Sequence, residues 1–314
     1  MTSQQVRVTT GSRLHFGLLD TAKPFGGVGV MVDDPITEVV ARRADAFQGP
    51  AIAANRVLGV AERYRRQFQL DALPACKIEI VRRPPAHTGL GTGTQLAMAV
   101  AEAISQLLHP ENADQRTASR IADRGRRSAV GIHGYRHGGL IYEDADQAAE
   151  LNPIRQRLDV PKQWCVAILR PIQETMTISG EVELDQFAKL PATTSEQRDH
   201  FRTQITTQLL PAIENSDFDA FSEAVHQYNR DSGLLFESVQ NGPYNGVAVS
   251  LLVDFLRSNG IKGVGQSSWG PSVFAWFATR DQAQQFVSDQ IDQAKVHVLL
   301  THAKNDPRQI ESQS

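Results

Sequence analysis

The chain opens on alternating apolar and polar positions. Val6-Arg7-Val8-Thr9-Thr10 and Arg13-Leu14-His15-Phe16-Gly17-Leu18-Leu19 keep the period of two of a β-strand and are rich in strand formers, which predicts an initial antiparallel sheet. Gly26-Gly27-Val28-Gly29-Val30-Met31-Val32 and Ile36-Thr37-Glu38-Val39-Val40 read as two more strands around a turn at Pro35. The period then changes. Ile52, Val57, Val60, Ala61 and Tyr64 fall at helical spacing, with Arg63, Arg65 and Arg66 on the wet face. Lys77-Ile78-Glu79-Ile80-Val81 alternates as a strand again, and Leu96 to Ile104 is an apolar run expected to form a buried helix. Asn112 to Arg124 is helical in composition. A break at Asn152-Pro153, with Pro161 after it, precedes the hydrophobic strand Trp164-Cys165-Val166-Ala167-Ile168-Leu169. Helical stretches follow at about 202–210, 217–230 and 244–258, then Ile261-Lys262-Gly263-Val264-Gly265 leading into the strand Ser272-Val273-Phe274-Ala275-Trp276-Phe277, a helix near 281–291 and the strand Val296-His297-Val298-Leu299-Leu300. The polar end after Asn305 reads as a loose tail.

Helix, two close strands, helix, strand is an α+β pattern. With 314 residues, 41% of them hydrophobic, the chain has room for two domains of about 100–200 residues each, placed at 1–160 and 161–314. A net charge of −3 gives no global attraction to nucleic acid or an anionic membrane, so any basic site must be local. No 18-residue apolar run occurs and the first residues lack a signal peptide's apolar core, so a cytoplasmic protein acting on small molecules is expected. Cys76 and Cys165 are far apart and outside any CxxC pattern, as suits buried reduced thiols.

The candidate chemistry begins at His87-Thr88-Gly89-Leu90-Gly91-Thr92-Gly93-Thr94-Gln95, between the strand near residue 80 and the apolar helix. Strand, glycine loop, helix builds an anion site: glycines let the backbone approach an oxyanion, and the helix start adds free amides and positive potential. Phosphate or diphosphate is the natural guest. The loop lacks the Gly-Lys-Ser/Thr ending of a P-loop, and its spacing is not G-x-G-x-x-G. Six arginines stand between 116 and 136. Arg116, Arg120 and Arg124 share helical spacing and read as one solvated face. Arg126 and Arg127 precede a small, glycine-bearing segment, where phosphate contact and a structural ion pair are both open.

Five segments carry a resemblance. Pro85-Ala86-His87-Thr88-Gly89-Leu90-Gly91-Thr92-Gly93-Thr94 is similar to the glycine signature of the GHMP family of small-molecule kinases, and Gly263-Val264-Gly265-Gln266-Ser267-Ser268-Trp269-Gly270-Pro271 resembles its C-terminal glycine motif. Ser12-Arg13-Leu14-His15-Phe16-Gly17-Leu18-Leu19-Asp20, Gly125 to Ile132 and Gly138-Gly139-Leu140-Ile141 narrow the likeness to the β-ribofuranosylaminobenzene 5′-phosphate synthases, a branch that is not a kinase. The resemblance implies a two-domain GHMP-kinase-like fold, its N-terminal part like domain 2 of ribosomal protein S5 and its C-terminal part ferredoxin-like. It implies condensation of 5-phosphoribosyl 1-diphosphate with 4-hydroxybenzoate or 4-aminobenzoate, release of diphosphate and carbon dioxide, and a place in tetrahydromethanopterin biosynthesis. Mg²⁺ is expected as cofactor, bound largely through substrate oxygens, with its protein ligands unassigned.

On this likeness the substrate-contacting set is Arg13, His87, Thr88, Gly89, Leu90, Gly91, Thr92, Gly93, Thr94, Arg126, Arg127, Gln266, Ser267, Ser268 and Trp269. His15 and His133 are the histidines expected to move protons, because each is read beside a strand end or a glycine turn rather than on a helix face. Trp269 either stacks on an aromatic acid or belongs to the core. Where many family kinases place an aspartate after Gly-Ile, Gly131-Ile132 here is followed by His133, and Thr92 and Gly93 replace the signature's serines. An ATP-dependent kinase and a non-catalytic phosphometabolite-binding protein stay as alternatives, and dimerisation is left open.

Overall fold

The computed structural model describes residues 4–112, 114–125, 128–147, 149–172 and 190–313. Two antiparallel sheets carry the chain. The first contains β1 (Gln5–Leu18), β2 (Gly27–Arg43), β3 (Cys76–Arg82), β4 (Leu140–Glu143), β5 (Ile154–Leu158) and β10 (Gln309–Gln313), in the order β10-β1-β2-β4-β5 with β3 also on β2. The second holds β6 (Cys165–Pro171), β7 (Val264–Gln266), β8 (Val273–Phe277) and β9 (Val296–His302), in the order β7-β8-β6-β9.

One face of the first sheet is covered by α1 (Ala54–Gln67), α2 (Thr92–Leu108), α3 (Gln115–Ala122) and α4 (Val130–His137). The apolar run predicted as a helix is α2, buried almost along its whole length. The opposite face shares a core with the second sheet and with α5 (Ser195–Gln204), α6 (Leu210–Glu214) and α7 (Phe218–Leu234), where Leu14, Phe16 and Val30 meet Phe221, Tyr228, Trp164 and Trp276. The far face of the second sheet packs on α9 (Val247–Ser258) and α10 (Arg280–Gln290), with the short α8 (Glu237–Gln240) before them. Because one core joins both halves, the groove between them has firm walls.

The two short strands read at the start are one strand with a bulge. Register against β2 shifts between Thr10 and Ser12, and a Cβ on Gly11 would run into the Val32 carbonyl. One additional residue inverts the alternation. Val6 and Val8 therefore face α2, while Leu14 and Phe16, of the same parity, face the shared core. Arg13 and His15 are turned toward the helices and the glycine loop. Likewise the segments around Pro35 form one continuous strand, β2.

Three further expectations are corrected. The supposed break near Asn152-Pro153 leads into β5, which pairs with β4. The end of the chain is not loose, because β10 pairs with β1 and brings the last described residues back to the first sheet. His133 lies inside α4 rather than beside a turn. Its neighbours Gly131 and Gly134 resemble helix breakers in the sequence, but Gly134 lets the helix press onto Met31, where a Cβ would collide. Both cysteines are buried free thiols, and burial pushes Cys76 up to about 12. Among the described residues no helix is long and apolar enough to cross a membrane.

Candidate active site

A cleft of about 680 Å³ opens where β1, the glycine loop and the turn after β7 converge. The loop is held by its own backbone: His87, Gly89 and Gly91 take φ of +61°, +83° and +66°. Glycine adopts that region freely, and the same turn lets the loop lie against its neighbour. A Cβ on Gly89 would overlap the Ser267 carbonyl, and one on Gly270 would overlap Gly89. Gly91 is the N-cap of α2, which has no side-chain cap and no acid in its first turn, so the helix offers its positive end to the cleft.

Ser267 ties the pieces together. It is fully buried, accepts the His15 amide at 3.0 Å and donates to the Gly89 carbonyl at 2.8 Å. Asn229 of α7 donates to the Phe16 and Gln266 carbonyls at 2.6 and 2.8 Å and accepts from the Gln266 amide at 2.8 Å. The Gln266 side chain accepts from the Asn245 amide at 2.8 Å and donates to the Gly270 carbonyl at 2.9 Å. Glycine loop, β1 and C-terminal motif thus form one hydrogen-bonded unit.

The cleft has two chemical ends. Arg13, Arg56, Arg83 and Arg124 line it beside the loop, with Asp123 as the described carboxylate on the wall. Arg56 is part-buried, and burial followed by the charge of Arg83 lowers its proton affinity, although an arginine remains a cation. Elsewhere Phe236 meets Trp269 edge-on with ring centroids 4.9 Å apart, and Leu18 completes a small apolar cluster. This pairing suits a guest that is anionic at one end and aromatic at the other.

His15 lines the cleft, and its Nε2 is 3.0 Å from Ser128 Oγ. Burial, and then Arg13, hold its pKa well below the ordinary value, so the imidazole is neutral. Ser128 in turn hydrogen-bonds Glu143, which is fully buried in β4 and receives the Ala129 amide at 2.8 and 2.9 Å on its two oxygens.

Of the predicted set, Arg13, His15, His87, Gly89, Gly91, Thr92, Gly93, Thr94, Gln266, Ser268 and Trp269 line the cleft. Thr88, Leu90 and Ser267 are buried behind it as supports: Thr88 bonds the Pro85 carbonyl, the Leu90 carbonyl receives the Arg13 amide, and Ser267 makes the bridges above. His133 is not on the cleft wall; its Nε2 bonds the Asn152 carbonyl at 2.7 Å, and burial lowers its pKa. Arg126 and Arg127 lie outside the described residues.

Sequence reasoning misses Arg56 and Arg83, and it places Arg124 on a solvated face. α3 stops at Ala122, and Asp123 takes φ +54°, which swings Arg124 away from Arg116 and Arg120 into the cleft wall. Arg83 leaves a signal, as a cation directly ahead of Pro84-Pro85 and the loop. Arg56, at the start of α1, leaves none.

The position of Arg56 is testable through Gly93. That glycine has ordinary helical backbone, and a Cβ there would occupy the space of the Arg56 guanidinium. Gly93→Ala is expected to keep or raise Tm, since alanine is favoured in helices by up to about 1 kcal/mol. Affinity for inorganic diphosphate is expected to fall several-fold by calorimetry, and unchanged affinity would remove Arg56 from the anion site.

Known proteins share this architecture. The GHMP kinases N terminal domain matches residues 55–141 and the GHMP kinases C terminal domain matches residues 209–290. The chain belongs to the GHMP kinase family, whose α+β fold it has. Within that fold it is similar to the β-ribofuranosylphenol 5′-phosphate synthase of Archaeoglobus fulgidus, 29% identical over 289 residues covering 86% of this chain and 87% of that protein. It is also similar to the enzyme of the same name from Methanothermobacter thermautotrophicus, 27% identical over 297 residues covering 85% and 87%. Among solved structures, homoserine kinase from Cytophaga hutchinsonii superposes with a TM-score of 0.67 at 17% identity, covering 99% of this chain and 98% of that one, which is a likeness of fold.

Proposed function

We propose that this chain is a synthase that joins 5-phosphoribosyl 1-diphosphate to a para-substituted benzoate, 4-hydroxybenzoate or 4-aminobenzoate, toward tetrahydromethanopterin. The ring carbon bearing the carboxylate attacks the ribose anomeric carbon as the C–O bond to diphosphate breaks. Loss of carbon dioxide then returns the C–C bonding pair to the ring. The observation that carries this reading is the two-ended cleft, with four arginines and an open helix start facing one part and the Phe236–Trp269 pair another. The names of the archaeal relatives support the same reaction class.

Within the cleft the chain's groups divide the work. Arg13, Arg56, Arg83 and the loop amides bind the phosphate groups and stabilise the oxyanions that develop as diphosphate leaves. The aromatic end excludes water and holds the ring against the anomeric carbon. Among the described residues no group of three or more His, Cys, Asp or Glu side chains could hold a metal ion. A Mg²⁺ carried largely by the diphosphate oxygens needs few protein ligands, and Asp123 is the carboxylate among the described residues on the cleft wall. When bound, the ion would neutralise charge on the leaving group.

The test is product formation from phosphoribosyl diphosphate with each benzoate, scoring diphosphate and carbon dioxide release beside ATP turnover with small alcohols. Release of both products without ATP consumption is expected. ATP-dependent phosphorylation of an alcohol, or tight substrate binding with no turnover, would overturn the reading. Excess chelator is expected to stop turnover and added Mg²⁺ to restore it; full activity in chelator would dismiss the metal.

A further inference from the structure

We infer that Glu143, Ser128 and His15 form a proton relay that takes the para hydroxyl or amino proton of the aromatic acceptor as its ring carbon attacks, and returns it after carbon dioxide leaves. The inference rests on the reading of the cleft as the acceptor's site. Its geometry is a continuous line of hydrogen-bonding groups from solvent-free core to cleft. Glu143 is fully buried, fixed by the Ala129 and Val130 amides and by the Ser128 hydroxyl; Ser128 Oγ is 3.0 Å from His15 Nε2; Ser128 and His15 both line the cleft.

With Glu143 ionised, the donors order themselves. Ser128 O–H donates to the carboxylate and His15 Nε2–H donates to Ser128 Oγ, which leaves Nδ1 as the ring's acceptor. A proton taken at Nδ1 releases the Nε2 proton to Ser128, whose own proton passes to Glu143. The imidazole stays neutral throughout and ends in its other tautomer. Removing the acceptor's proton raises electron density at the para carbon, which is the attacking atom. Loss of carbon dioxide then leaves phenolate or anilide, and the relay runs backward, so no proton is gained or lost overall.

The two ends are suited to their roles. His15 cannot keep the proton, because burial and Arg13 lower its pKa, whereas burial raises Glu143 to about 7. Among the described residues, the Arg13 charge on β1 and the buried Tyr228 phenol on α7 act on Glu143. Asp144, next in the chain, is tied up by Arg198 and Arg202.

Two variants test the relay. Glu143→Gln keeps the shape but cannot take the proton, and Ser128→Ala breaks the line without altering any charge. Each is expected to lower kcat by about a hundredfold or more, with KM for phosphoribosyl diphosphate within about twofold. Wild-type kcat should fall as pH drops through about 7, since Glu143 must be ionised to accept, and that limb should vanish in Glu143→Gln. ¹⁵N NMR of the His15 ring is expected to show the Nε2–H tautomer in wild type at a pH of about 8, above the Glu143 pKa, and a mixture in Ser128→Ala. Wild-type kcat with the same acid limb in both variants, or an unchanged tautomer in Ser128→Ala, would overturn the relay. Absence of product in wild type would instead overturn the proposed reaction, and the tautomer measurement would still judge the relay.

Discussion

Replacing Arg56 or Arg83 with alanine is expected to lower kcat/KM for phosphoribosyl diphosphate by about tenfold to a hundredfold, and replacing both by on the order of a thousandfold. Arg56 lies close enough to Arg83 for their charges to oppose each other, and both line the cleft at the loop. Among the described residues neither guanidinium is bonded to a carboxylate. Two like charges held together without an acid destabilise the empty protein, and a polyanion between them reverses the sign of that term. A hydrogen bond to a charged group is worth about 1.5–3 kcal/mol, and about 1.36 kcal/mol is tenfold in rate, which sets the magnitude for each residue. Lysine should give an intermediate loss, because it keeps the charge and loses the planar fork. KM for the benzoate serves as the internal control and should move little. If all the variants stay within about twofold of wild type, the pair is only a surface feature of the loop.

The contrast between Gly89 and Arg56 explains how much of the site the sequence reveals. A left-handed backbone strains any residue but glycine, and Gly89 also presses against the Ser267 and Gly270 backbone, so Gly89, Gly91 and their spacing mark the loop in the sequence alone. Arginines are common on every helix surface. What sets Arg56 apart is only that the start of α1 lies beside Gly93 in the first turn of α2, a fact of tertiary packing with no local trace. Arg124 misleads for a related reason, because its helical spacing from Arg116 and Arg120 runs two residues past the end of α3. Arg13 and His15 are legible as members of a motif, but the reason they face the cleft is the bulge at Gly11, and in the sequence a bulge glycine reads as a turn glycine.

The fold follows the same rule. Strands and helices with a regular apolar period, such as β1, α2 and β8, are readable, while β5 and β10 are not. Ile154-Arg155-Gln156-Arg157-Leu158 and Gln309-Ile310-Glu311-Ser312-Gln313 are polar segments that exist as strands because a neighbouring edge offers them hydrogen bonds. Glu143 and Ser128 leave no mark either, because one acid in a four-residue strand and one serine after an arginine pair carry no period at all. Their meaning comes from being packed side by side.

Removing the carboxylate of Glu102, outside the cleft, is expected to destabilise the protein by several kcal/mol. Glu102 sits in the middle of α2 and is buried, Arg308 donates to both of its oxygens, and the Tyr135 hydroxyl donates to Oε2. Arg308 stands directly before β10, so this ion pair fixes the returning chain end to the central helix. Glu102→Ala leaves a half-buried guanidinium and a buried phenol without their acceptor, and breaking a buried pair in this way costs about 3–5 kcal/mol. At about 2–4 °C per kcal/mol for a chain of this class, Tm should fall by roughly 6–20 °C. Glu102→Gln keeps an acceptor for Tyr135 and should fall between. The chain end should also loosen, so trypsin is expected to cut after Arg308 in Glu102→Ala under conditions where wild type stays intact. Because neither residue lines the cleft, kcat at about 25 °C per folded molecule should be unchanged. Calorimetry with limited proteolysis decides the matter: a Tm within about 1 °C of wild type and an uncut chain end would show that β10 is held by its strand pairing alone.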